Sequence, residues 1–160
     1  MKLLLHACCG PCSLEPVRIL AEAGHDITIA YLNSNIAPAS EYEHRIKTLL
    51  EWAKSQNIPV IEGPYEPATW QNAIKQNWDG TQENRADRCR ACYRIRLEEL
   101  ARYAYEHGFE GIGTTLTVSP YQYTDIINEE LERAAAPYEG LSAVFQDFRE
   151  FYPQATIRSR

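Results

Sequence analysis

A chain of 160 residues makes one domain of ordinary size, large enough to bury roughly 70% of its unfolded surface without disulfides. Apolar residues at 44% and charged residues at 24% match the globular average, which excludes a disordered, collagenous or coiled-coil chain. The formal charge of −6 gives no overall positive field, so a polyanionic partner has to be met by a local patch.

The N-terminus, Met1-Lys2-Leu3-Leu4-Leu5, loses its apolar run at His6. That is too short for a signal h-region or a membrane span, so a cytoplasmic protein with no membrane partner is expected. Leu3 to Ala7 reads as a first buried strand, and Leu14, Val17, Leu20 and Ala21 mark a short helix ended by Gly24. A second strand follows at Ile27 to Leu32. Tyr42, Ile46, Leu49, Leu50 and Ala53 recur at helical spacing, then Pro59 to Ile61 reads as a third strand. Gly63 to Asp87 is the least regular stretch, an insertion at about 63–88 with a short helix around Thr69 to Gln76 and a solvated loop from Asp79 to Asp87. Tyr93, Leu97, Leu100, Ala101 and Ala104 mark a long helix. Ile112 to Leu116 reads as a strand, Ile126, Ile127 and Leu131 as a helix stopping before Pro137, and Ser142 to Phe145 as a last strand. Strand and helix alternate from end to end, the pattern of one α/β domain built on a doubly wound parallel sheet of about five strands with flanking helices. Such sheets bind ligands at the carboxyl ends of their strands.

Five cysteines, an odd number, in two groups argue against a disulfide framework and for metal binding or catalysis. Cys8, Cys9 and Cys12 lie in His6-Ala7-Cys8-Cys9-Gly10-Pro11-Cys12-Ser13, the turn from the first strand into the first helix, where the helix N-terminus favours thiolates and any anionic group they hold. Cys89 and Cys92 form a CxxC at the start of the long helix. A CxxC alone fits a redox dithiol, a zinc half-site or part of an iron–sulfur site. Both groups can converge on one sheet edge, giving one thiolate more than a tetrahedral zinc or a four-iron cluster requires. Adjacent Cys8 and Cys9 point in different directions and are expected to serve neighbouring sites. All-thiolate donors suit zinc and iron–sulfur clusters and disfavour magnesium.

Six arginines between Arg85 and Arg102 flank the CxxC against Asp87, Glu98 and Glu99. They read either as a solvated face with pairs such as Arg94 to Glu98 or as phosphate contacts. Tyr93, Tyr121, Tyr123 and Trp78 can pack or stack RNA bases. Two loops rich in uncharged polar groups, Asn33 to Pro38 and Thr114 to Gln122, end at the same edge. His6 reads as a core imidazole or as a group near the thiols.

HACCGPC, the Asn33-Ser34-Asn35 turn, RCRACYRIRLEE and TTLTVSPYQ, in this order and spacing, resemble the epoxyqueuosine reductases of the QueH type over essentially the whole chain. The resemblance implies a Rossmann-like fold and reduction of epoxyqueuosine to queuosine at the wobble position of tRNA, with an external electron donor. It also implies a [4Fe–4S] cluster beside a mononuclear iron, with zinc an occupant after aerobic isolation. Carried onto this sequence, one of Cys8 and Cys9 joins Cys89 and Cys92 on the cluster, and the other lies with Cys12 near the separate iron. Asn33, Asn35, Ser119, Tyr121 and Gln122 would position the modified base, and the arginines, Arg94 among them, would meet anticodon phosphates. Cys8 and Cys12 are the catalytic candidates, with a proton donor among Tyr93, Tyr121 and His6. Relatives run on to a Tyr-Cys-Gly-Cys element that this sequence does not contain, so the family's C-terminal segment is expected to be absent. Competing readings are a zinc-stabilised RNA-binding module without redox chemistry and a thiol oxidoreductase.

Overall fold

Apolar runs too short for helices pair side by side as β1 (Lys2–His6), β2 (Asp26–Tyr31), β3 (Val60–Glu62), β4 (Gly111–Thr114) and β5 (Ser142–Ala143). All pairings are parallel, and the strand order is β3-β2-β1-β4-β5. The computed structural model describes residues 1–7, 10–33, 36, 38–63, 65–77, 85–118 and 122–151, with the backbone alone for Gly10, Pro11, Cys12, Ala73, Gln76, Asn77, Arg85 and Phe151.

Among the described residues, five α-helices connect the strands: α1 (Gly10–Glu22), α2 (Ala39–Ser55), α3 (Pro67–Asn77), α4 (Arg85–Glu106) and α5 (Thr124–Ala135). Because neighbouring strand residues face opposite ways, Leu3 and Leu5 pack with Val17 and Leu20 of α1 and Ile46 and Leu49 of α2, while Leu4 packs with Leu97 and Leu100 of α4 and Ile127 and Leu131 of α5. Both faces of the sheet are therefore covered, which is why its strands read as unbroken apolar runs. Each such buried side chain contributes about 1.5–3 kcal/mol before ordering costs. A third cluster, Trp70 and Ile74 of α3 against Ala91 and Cys92 of α4, lies apart from the sheet.

The chain lays down β1, β2 and β3 in one direction, then returns to place β4 on the other side of β1. The reversal between β1 and β4 opens a crevice at their carboxyl ends. Several expected boundaries move. α1 begins at Gly10, a turn before its apolar stripe, and α4 begins at Arg85, so residues 85–87 are its first turn rather than loop. β4 stops at Thr114, where a 3-10 turn over Leu116–Val118 takes over, and β5 keeps two of its expected residues. Leu50, expected in the buried stripe of α2, is exposed. Gly24 ends α1 at φ +97°, with its N–H on Ala21 and that of His25 on Leu20; a left-handed residue there lets the terminal carbonyls find partners. Among the described residues, no helix is long and apolar enough to cross a membrane.

Candidate functional site

At the crevice, β1 ends on His6, opposite Ala30 of β2 and Thr114 of β4. The Thr114 hydroxyl accepts the Leu116 N–H at 3.1 Å and lies 3.1 Å from His6 Nδ1. Its own proton therefore serves Nδ1, which leaves Nε2–H to donate to Asn33 Oδ1 at 3.2 Å. Asn33 Nδ2 donates to the carbonyl of Ala7 at 2.9 Å. Burial, then the Arg96 cation, lower the His6 pKa to about 3. The imidazole is neutral at physiological pH and fully bonded, a core group that organises the end of β1 and holds no acidic proton for substrate.

The same Asn33 oxygen accepts Arg96 Nη2 at 2.8 Å, and Arg96 Nη1 lies 3.7 Å from Cys92 Sγ. One buried chain of contacts thus runs from Cys92 through Arg96 and Asn33 to Ala7, the residue before Cys8. Trp70 Nε1 donates to the same Cys92 sulfur at 3.1 Å. Trp70 in turn lies beneath Arg88, whose guanidinium carbon is 5.5 Å from the indole centroid. Cys89, one turn earlier, is half-buried against the α4–α5 layer. Cys8 and Cys9 lie outside the described residues, and Cys12 stands in the first turn of α1, where the backbone alone is described.

Other sequence-predicted residues divide. Asn35, Ser119 and Tyr121 lie outside the described residues. Gln122 is half-buried and accepts the Tyr93 hydroxyl at 2.5 Å, while that hydroxyl also accepts the N–H of Tyr123. Burial foremost raises the Tyr93 pKa, and its hydroxyl proton is engaged by Gln122. Asn33 faces inward with both amide atoms occupied, so it shapes the crevice from beneath. Arg94 does not pair with Glu98. Its Nε and Nη2 bond Glu130 of α5 at 3.0 and 2.9 Å, and Arg90 bonds Glu130 and Glu129 at 3.0 and 2.8 Å. Thr117, in the polar loop, donates to the carbonyl of Gln146.

Sequence reasoning missed Trp70, Arg96 as a partner of sulfur, and Glu130. Arg96 carried a signal, since it follows Cys92 by one helical turn; Trp70, distant in the chain, carried none. Among the described residues, no three His, Cys, Asp or Glu side chains gather into a metal site. The donor chemistry nevertheless fits an anionic, thiolate-held group. The Cys92 sulfur receives two N–H donors, one from a buried cation that forms no ion pair with a carboxylate among the described residues, and a buried charge needs an anion.

The all-parallel order β3-β2-β1-β4-β5 defines a Rossmann-like domain, with Cys89 and Cys92 on α4 and the early cysteine motif following β1 in the sequence. The family model described as "Epoxyqueuosine reductase QueH" matches residues 3–160, and the chain belongs to that family. The protein named epoxyqueuosine reductase QueH in Staphylococcus aureus is 36% identical over 134 residues, covering 80% of this chain and 55% of that protein. The one in Acinetobacter baylyi is 36% identical over 137 residues, covering 86% and 62%, and the one in Thermotoga maritima 30% identical over 150 residues, covering 92% and 74%. The chain thus spans between 55% and 62% of the length of the first two relatives. In fold it is similar to a predicted subunit of a tRNA methyltransferase from Methanocaldococcus jannaschii, with a TM-score of 0.61 at 12% identity over 99% of this chain and 75% of that one.

Proposed function

We propose that this chain is the reductive domain of an epoxyqueuosine reductase, acting on epoxyqueuosine at the wobble position of tRNA. What supports the reading most is the buried contact chain from Cys92 through Arg96 and Asn33 to the residue before Cys8. It ties the helix bearing the CxxC to the start of the early cysteine turn, across the strand-order switch where open α/β sheets bind ligands.

Converting an epoxide to an alkene consumes two electrons and two protons and releases the oxygen as water. A [4Fe–4S] cluster with an adjacent iron supplies an electron relay and an oxygen acceptor, which no amino-acid side chain provides. Cys89, Cys92 and one of Cys8 and Cys9 would hold the cluster, and the other with Cys12 the iron. Cys92 takes N–H bonds from Trp70 and Arg96, which would offset the negative charge of a ligating sulfur and fix its side chain in place. His6, neutral and bonded on both nitrogens, braces Asn33 and the end of β1. Tyr121 would supply a proton to the departing oxygen. Asn35, Ser119, Tyr121 and Gln122 would orient the base, Gln122 anchored by Tyr93. Arginines of α4 would meet tRNA phosphates, with Arg90 and Arg94 held in place by Glu130, making tRNA affinity salt-dependent. Electrons would come from an outside donor.

The test is conversion. Anaerobically loaded protein, excess dithionite and tRNA containing epoxyqueuosine are incubated, and the nucleosides are measured by mass spectrometry. Queuosine should form with wild type and not with Cys92→Ala. Binding of tRNA by a colourless zinc protein that makes no queuosine would overturn the proposal in favour of an RNA-binding module.

A further inference from the structure

A guanidinium remains protonated at any pH at which a protein stays folded. Buried, it needs an anion, because desolvating an unpaired charge costs several kcal/mol. Arg96 is 6% exposed. Its Nη2 donates to the neutral amide of Asn33 at 2.8 Å, its Nη1 faces Cys92 Sγ at 3.7 Å, and its Nε has no hydrogen-bond partner among the described residues. No carboxylate pairs with it among the described residues. The contrast on the same helix is sharp: Arg90 and Arg94, each about a third exposed, share the buried carboxylate of Glu130. Trp70 adds a second N–H to the same sulfur, so Cys92 sits among donors.

We infer that Arg96 is the counter-charge of the thiolate-held group at Cys92, a positioning residue that acts through that sulfur to raise the group's electron affinity. The inference rests on the iron–sulfur reading above. A fixed cation beside the group favours its form with one more electron, so neutralising residue 96 makes one-electron reduction less favourable by at least tenfold, equivalent to ~59 mV. A purely structural Arg96 would be judged by shape and hydrogen bonding, and a glutamine able to donate to Asn33 would replace it better than a lysine.

The experiment compares wild type with Arg96→Lys, Arg96→Gln and Arg96→Met in the full chain. Each is checked for fold by circular dichroism and loaded anaerobically with iron and sulfide. Metal content is then measured, and the midpoint potential is found by titration with dithionite. The proposal expects sorting by charge: Lys within threefold of wild type in the reduction equilibrium, Gln and Met together at least tenfold lower. Equal potentials across loaded variants, or Gln nearer wild type than Lys, overturn it. So does loss of fold in all three, which makes Arg96 a packing residue. Wild type that takes up no iron or sulfide sinks the cofactor reading and this inference with it, whereas a loaded wild type with indifferent variants sinks the inference alone.

Discussion

Replacing Glu130 by alanine should unfasten α5 from the helix that carries both Cys89 and Cys92. The Glu130 side chain is 1% exposed and accepts three hydrogen bonds, from Arg90 Nη1 at 3.0 Å, Arg94 Nη2 at 2.9 Å and Arg94 Nε at 3.0 Å. Burial pushes its pKa up, but the bonds from Arg94 and Arg90 outweigh burial and hold it below the ordinary carboxylate range. Breaking a buried pair of this kind costs ~3–5 kcal/mol. Both arginines are about a third exposed, so they rehydrate when the carboxylate is gone and the cost falls to about 3 kcal/mol. In a domain of this size that is a fall of roughly 6–12 °C in Tm. Urea unfolding followed by far-UV circular dichroism on wild type, Glu130→Gln and Glu130→Ala measures it. Because the folded pKa is depressed, the stabilisation is complete above the unfolded value of about 4.3 and is lost as pH falls through the folded one. The gap between wild type and Glu130→Gln should therefore close in acid. A loss under about 0.5 kcal/mol, the range of ordinary surface substitutions, or a gap unchanged by acid, would refute the reasoning.

Tyr93→Phe removes the hydroxyl that donates to Gln122 and accepts the Tyr123 N–H; it should lower unfolding free energy by about 1–2 kcal/mol and, in the conversion assay, raise KM more than it lowers kcat, since it loosens the residue proposed to orient the base. An unchanged KM would argue that Gln122 does not contact the base. Gly63→Ala drives a Cβ into Leu32 Cδ2 and places it 3.3 Å from Glu99 Oε1. Leu32 is buried in the α4 layer, so overpacking should cost ~1–3 kcal/mol in a thermal melt, and wild-type stability would show that the neighbours yield freely.

Much of the architecture was legible because both faces of a parallel sheet are covered, which turns strands into apolar runs and helices into stripes. Strand ends were less so: β4 gives way to a 3-10 turn after Thr114, and nothing in an apolar run announces where pairing stops. The CxxC and the early cysteine turn were visible as motifs. Local spacing suggested Arg94 with Glu98, whereas the partner the fold supplies is Glu130, from a helix beyond β4. The short helix around Thr69 to Gln76 was legible and is seen as α3, but not that it packs on α4 and delivers the Trp70 indole N–H to Cys92. Contacts of that kind depend on tertiary closure and leave no period in the chain.

Whether the cysteines of α4 and those after β1 share one iron–sulfur centre is tested most directly by metal analysis of anaerobically purified protein. Wild type should be brown, with iron and acid-labile sulfide in near-equal amounts. Cys89→Ala and the double variant Cys8→Ala/Cys9→Ala should each lose that colour while keeping their circular dichroism. Full iron and sulfide in either variant, or a colourless wild type holding stoichiometric zinc, would contradict the account.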